Sequence, residues 1–98
     1  MKASPIDKVV DRLEKVTGCK LIVTSGYRSP TKNKAVGGAP RSYHLYDRAR
    51  DLAPKDKKCI SIRRLGGMAC KITSTIVYLS HIHVDNRKRR LCIRGKYK

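Results

Sequence analysis

Residues 74 to 87 read STIVYLSHIHVDNR. Both halves, STIVYLS (74–80) and HIHVDNR (81–87), are rich in the β-branched and aromatic residues that suit a pleated strand. They read as two strands joined by a tight turn, or as one continuous strand. Residues two apart on a strand face the same side, so His81 and His83 look into one place and Asp85 shares their face. The chain has three histidines, and two of them stand here. The third, His44, lies in SYHLYDRARD (42–51), seven positions before Asp51.

Working outward, RARDLA (48–53) can begin a short strand, and CKLIVTS (19–25) reads as another. Before it, Ser4 is a plausible N-cap, Pro5 suits the first helical position, and Asp7 places a negative charge in the first turn. Ile6, Val9, Val10, Leu13 and Val16 recur at helical spacing, and Gly18 is a natural stop. Residues 26 to 43, GYRSPTKNKAVGGAPRSY, are rich in Gly, Pro, Ser and Asn and read as a long loop, a kind of segment that is often functional. PKDKK (54–58) is a basic connector. ISIRRLGGMACKI (60–72) reads either as a short helix interrupted by Gly66-Gly67 or as strand, turn and strand. RKRRLCIRGKYK (87–98) is a basic strand or tail. No internal repeat or linker divides the chain. The expected architecture is α+β, an N-terminal helix packed on a small, mostly antiparallel sheet, in one domain over residues 1–98 with a basic C-terminal segment at 87–98.

The chain has 98 residues, and a domain of that size buries about two thirds of its unfolded surface. It contains no Trp or Phe, so the core must come from aliphatic residues, Cys and some of the five Tyr. Small aliphatic cores are often helped by a metal or a disulfide. Lys and Arg number 24 against 7 acids, a formal net charge of +17, which draws the protein to polyanions: nucleic acid, anionic membranes or the anionic polymers of a bacterial wall. The N-terminus shows no apolar signal-peptide core, and no apolar run approaches a membrane span. The expectation is synthesis in a cytoplasm, with something else releasing the protein if it works outside. Cys19, Cys59, Cys70 and Cys92 form no Cys-x-x-Cys pair, which leaves zinc ribbons and thioredoxin-type motifs unsupported. They read first as buried free thiols in a reducing compartment, with one or two disulfides as the alternative.

Catalytic zinc takes three protein ligands and keeps a fourth position open. His44, Asp51 and one histidine of the 81/83 pair would supply such a set, and bound zinc lowers the pKa of its water to about 7. The competing reading is that Asp51 pairs with a nearby arginine such as Arg48 or Arg50.

TSGYRSP (24–30), VGGAPRSYHLYDRARDL (36–52) and HIHVD (81–85), in this order, together resemble the zinc D-alanyl-D-alanine carboxypeptidase family, which has the hedgehog/DD-peptidase fold. The family pattern Ser-x-His-x-x-Gly-x-Ala-x-Asp, followed later by His-x-His, is met in register by Ser42, His44, Ala49 and Asp51. The resemblance implies that His44, Asp51 and His83 bind one zinc ion. It implies that Arg28 binds substrate near the scissile carbonyl, that Ser42 contacts substrate, and that His81 stabilises the tetrahedral intermediate or shuttles a proton. Two positions depart from the family. Asp47 replaces the motif glycine, and Ser80 stands where many members carry the acidic general base. Serine cannot take that role at neutral pH. His81, Asp85 or Asp47 is the substitute, or the chain binds zinc without hydrolysing peptides. The competing reading of Asp85 is that it pairs with Arg87 or a neighbouring basic residue.

The function expected is therefore a zinc metallopeptidase cutting peptidoglycan stem peptides, as carboxypeptidase or endopeptidase, in a small phage- or virus-encoded protein released at lysis or packaged in the virion. The alternative is an inactive, zinc-stabilised virion or binding module. Its basic surface, above all the tail, would hold nucleic acid with a steep salt dependence.

Overall fold

The computed structural model describes residues 4–26, 29–38 and 48–95. Among them run α1 (Pro5–Thr17), β1 (Leu21–Ser25), α2 (Pro30–Ala35), β2 (Ala49–Pro54), α3 (Ile62–Cys70), β3 (Ser74–Val77), β4 (Ile82–Asp85) and β5 (Cys92–Arg94). The strands form one sheet in the order β1-β2-β4-β3-β5. The β1–β2, β2–β4 and β3–β4 pairs are antiparallel, and β5 joins β3 in parallel, so the sheet is mixed. This is the expected α+β architecture, compatible with a hedgehog/DD-peptidase-like fold.

Helix α1 starts and stops where the sequence signals it. The Ser4 N–H donates to Asp7 Oδ2 at 3.2 Å, and Gly18 ends the helix in the left-handed region at φ 68°. Its apolar face, Ile6, Val10 and Leu13, joins Leu65 and Ala69 of α3 in one core with Leu52 of β2 and Ile82 and Val84 of β4. Along β2 and β4 these residues alternate with Asp51, His83 and Asp85, so the two longer helices cover one sheet face and the polar set projects from the other.

Three expectations change. The loop expected at 26–43 contains the short helix α2: Ser29 Oγ accepts from the Lys32 N–H at 3.2 Å, the N-cap followed by proline that also begins α1. In 60–72 the glycine pair does not interrupt a helix. Gly66 of α3 lies against the sheet, where a Cβ would overlap the Val77 side chain. The cysteines are not free thiols: Cys19 is bonded to Cys59, and Cys70 to Cys92. The first bridge ties the α1–β1 turn to the segment after β2, and the second ties the end of α3 to β5. Sequence spacing carried no pairing signal, because each partner is brought close only by the tertiary fold. Among the described residues no helix is long and apolar enough to cross a membrane.

Candidate active site

Asp51 on β2 and His83 on β4 are directly opposed across neighbouring antiparallel strands and share a face. His83 Nδ1 lies 3.1 Å from Asp51 Oδ1, and on its other side Nε2 lies 2.8 Å from Asp85 Oδ2. The imidazole is thus held between two carboxylates, with His83 9% exposed and Asp51 8%. Burial pushes the His83 pKa down, but the hydrogen bonds and charges of Asp51 and Asp85 outweigh it, and the net shift is upward.

Asp85, a candidate general base from the sequence, sits behind His83 with 1% exposure. Arg87 donates Nε–H to Oδ1 at 2.8 Å, its terminal guanidinium nitrogen to Oδ2, and its backbone N–H to Oδ1 at 3.1 Å. Burial acts to raise the Asp85 pKa, but the bonds from His83 and Arg87 hold the carboxyl well below the usual carboxylate range. Both oxygens are engaged, so this carboxylate serves its neighbours and offers no oxygen to a water in front of His83. The three-residue unit Asp85-Asn86-Arg87 builds this clamp locally.

His81 lies one step along the same face. Its Nε2 is 3.9 Å from Asp51 Oδ2, its Nδ1 is 2.9 Å from Ser80 Oγ, and its ring stacks on Tyr78 with centroids 4.8 Å apart. The bond to Ser80 and the stack on Tyr78 escaped sequence reasoning. A serine directly before a histidine, with a tyrosine three residues before it across a turn, was the available signal.

Two arginines near Asp51 in sequence have other engagements. Arg50 points to the helix side, where Nε donates to Asp7 Oδ1 at 2.9 Å. Arg48 Nε donates to Asn86 Oδ1 at 2.7 Å. Arg28, Ser42, His44 and Asp47 lie outside the described residues.

Asp51 and His83 carry atoms of the kinds that bind zinc, a carboxylate oxygen and an imidazole nitrogen, and these stand 3.1 Å apart in a hydrogen bond. A ligating histidine commonly donates its second ring N–H to a carboxylate, as His83 Nε2 is placed to do with Asp85. That bond leaves the Nδ1 lone pair facing Asp51, and a cation there would replace the proton that the two carboxylates otherwise favour on His83. Among the described residues no group of three or more His, Cys, Asp or Glu side chains is arranged to hold a metal; the third ligand expected from sequence, His44, lies outside them.

No curated protein matches the sequence at a significant level. A family model described as Peptidase M15 matches residues 2–85, which takes in the helix α1, the Asp51 strand and the whole His81–Asp85 segment. A match over so much of the chain, ending on the strand that carries His83 and Asp85, makes this protein a member of the peptidase M15 family.

Proposed function

We propose that the protein is a zinc-dependent peptidase that hydrolyses stem peptides of bacterial peptidoglycan, as a D-Ala-D-Ala carboxypeptidase or an endopeptidase. The observation that carries this reading is the Asp51–His83–Asp85 relay, in which a carboxylate and an imidazole nitrogen meet at 3.1 Å with a second carboxylate fixing the ring. His44, Asp51 and His83 are the residues that would hold the zinc. When bound, the ion supplies a Lewis acid that acidifies water and polarises the scissile carbonyl.

The side chains divide the remaining work. Asp85 keeps His83 in the tautomer with a lone pair on Nδ1, and Arg87 neutralises that buried carboxylate. Asp85 has no spare oxygen and Ser80 cannot act as a base, so among the described residues the candidate for proton transfer is His81, whose Nε2 faces the Asp51 carboxylate. Arg28 and Ser42 orient the substrate in this proposal, as their place in the family motif implies. The net charge of +17 would hold the protein on anionic wall polymers.

The competing nucleic-acid module draws on the basic tail. Part of that tail is built into the fold, with Arg87 on Asp85, Arg90 on the Lys71 and Ile72 carbonyls, and Cys92–Arg94 in the sheet. The test is a digest of purified peptidoglycan by zinc-loaded protein, read by mass spectrometry beside a chelated control. Release of D-alanine or stem-peptide fragments, lost on chelation, supports the peptidase. No release from folded, zinc-bound protein on several wall types rejects it in favour of the binding module.

A further inference from the structure

We infer that Ser80 and Tyr78 are positioning residues for His81, aiming its Nε2 at the Asp51–His83 site. The inference rests on the proposed peptidase reading, in which the His81 ring faces the Asp51 carboxylate, and its own ground is the geometry around that ring. Ser80 and Tyr78 both hold the imidazole. Ser80 Oγ lies 2.9 Å from Nδ1, and the Tyr78 ring stacks on its face at 4.8 Å with 23° between planes. The first contact fixes rotation about the ring plane, and the second fixes the plane itself.

Both holding residues are themselves fixed. Tyr78 and His81 flank the two-residue connection Leu79-Ser80, and the Tyr78 N–H donates to the His81 carbonyl at 2.9 Å. Behind Tyr78 lies the C-terminal strand. The Gly95 N–H donates to the Val77 carbonyl at 2.8 Å, and a Cβ at Gly95 would overlap the Tyr78 ring carbons. The close approach of β5 thus closes one way out for the tyrosine ring. Cys70–Cys92 pins that strand to α3. Leu79, by contrast, is 90% exposed and takes no part in the packing.

A hydroxyl suits this task because it both donates and accepts. Whichever ring nitrogen carries the proton, the hydroxyl can meet Nδ1, so the hold on the ring does not depend on the tautomer.

The experiment compares Ser80→Ala, Ser80→Thr, Tyr78→Leu and Tyr78→Phe in the full chain, with zinc content measured on each. General acid–base groups contribute about 100- to 10,000-fold, and loss of orientation forfeits part of that, so S80A and Y78L are expected to lower kcat by about tenfold with KM within about twofold. S80T and Y78F, which keep the hydroxyl and the stacked ring, should restore it. Independently of turnover, nitrogen-resolved NMR of the zinc-loaded protein should show the His81 Nδ1 resonance shifted in S80A, and the His81 ring protons losing their ring-current shift in Y78L. His83 should be unmoved in both. An unchanged His81 spectrum, or a fall in kcat matched by loss of zinc, overturns the inference. If the wild-type protein cleaves no peptidoglycan, the functional reading fails, and the His81 spectra still decide whether Ser80 and Tyr78 hold the ring.

Discussion

Replacing Asp85 by Asn tests the relay behind His83 with almost no change in shape. The substitution removes a carboxylate that is 1% exposed and accepts from Arg87 Nε at 2.8 Å, the Arg87 backbone at 3.1 Å and His83 Nε2 at 2.8 Å. Two effects follow. Removing one partner of a buried ion pair costs about 3–5 kcal/mol. The Arg87 side chain is 24% exposed and can turn to water, so about 1–3 kcal/mol of stability should be lost. The second effect concerns the zinc ion proposed above. An amide oxygen is a weaker acceptor for His83 Nε2–H than a carboxylate, and loss of such an outer partner weakens zinc about 10- to 100-fold, or about 1.4–2.7 kcal/mol. Stability is measured by urea unfolding of chelated protein, and zinc affinity by competition with a chromophoric chelator. A D85N protein that unfolds earlier but binds zinc within about threefold of wild type would refute the role given to Asp85.

Further outcomes follow from other contacts. Asp7 has a lowered pKa: burial pushes it up, but the hydrogen bond and charge of Arg50, with the Ser4 bonds, outweigh burial. Its contribution is present above the ordinary carboxylate value and is lost as pH falls through the folded one, so the stability gap between wild type and Asp7→Asn should close on acidification below about pH 4. The disulfides close separations of 22 and 40 residues, for which chain entropy gives about 3.4 and about 3.9 kcal/mol, so C70S/C92S should lower stability slightly less than C19S/C59S in matched urea titrations. Gly66→Ala should destabilise by about 1–2 kcal/mol despite the better helix propensity, because its Cβ meets Val77, and the added change Val77→Ala should recover part of the loss.

Much of this was legible where the signal is local. Ser4-Pro5 and Gly18 mark α1 because caps act within one turn, and the β-branched runs mark β1, β3 and β4. The face shared by His81, His83 and Asp85 follows from strand alternation alone. Other features depend on contacts between distant residues. The Gly66-Gly67 pair resembles a helix breaker until Val77 is seen to need the space. Asp85 reads either as a general base or as the partner of Arg87, and only the fold, with Arg87 on both oxygens, decides for the second. The cysteine pairings and the Arg50–Asp7 bond, 43 residues apart, are set by which elements meet in space. Sequence order gives no measure of that.

The two cross-links make the molecule's durability depend on its surroundings. The core is small and aliphatic, and a domain of this kind holds only about 5–15 kcal/mol in total. Bridges Cys19–Cys59 and Cys70–Cys92 together account for a large part of that margin. A thiol-rich cytosol would keep them open, and the chain there would unfold often and be exposed to resident proteases. In an oxidising milieu the same chain would lock. The redox state of the surroundings would thus set how long the fold lasts, and the strand behind Tyr78 would be among the parts that the Cys70–Cys92 bridge secures.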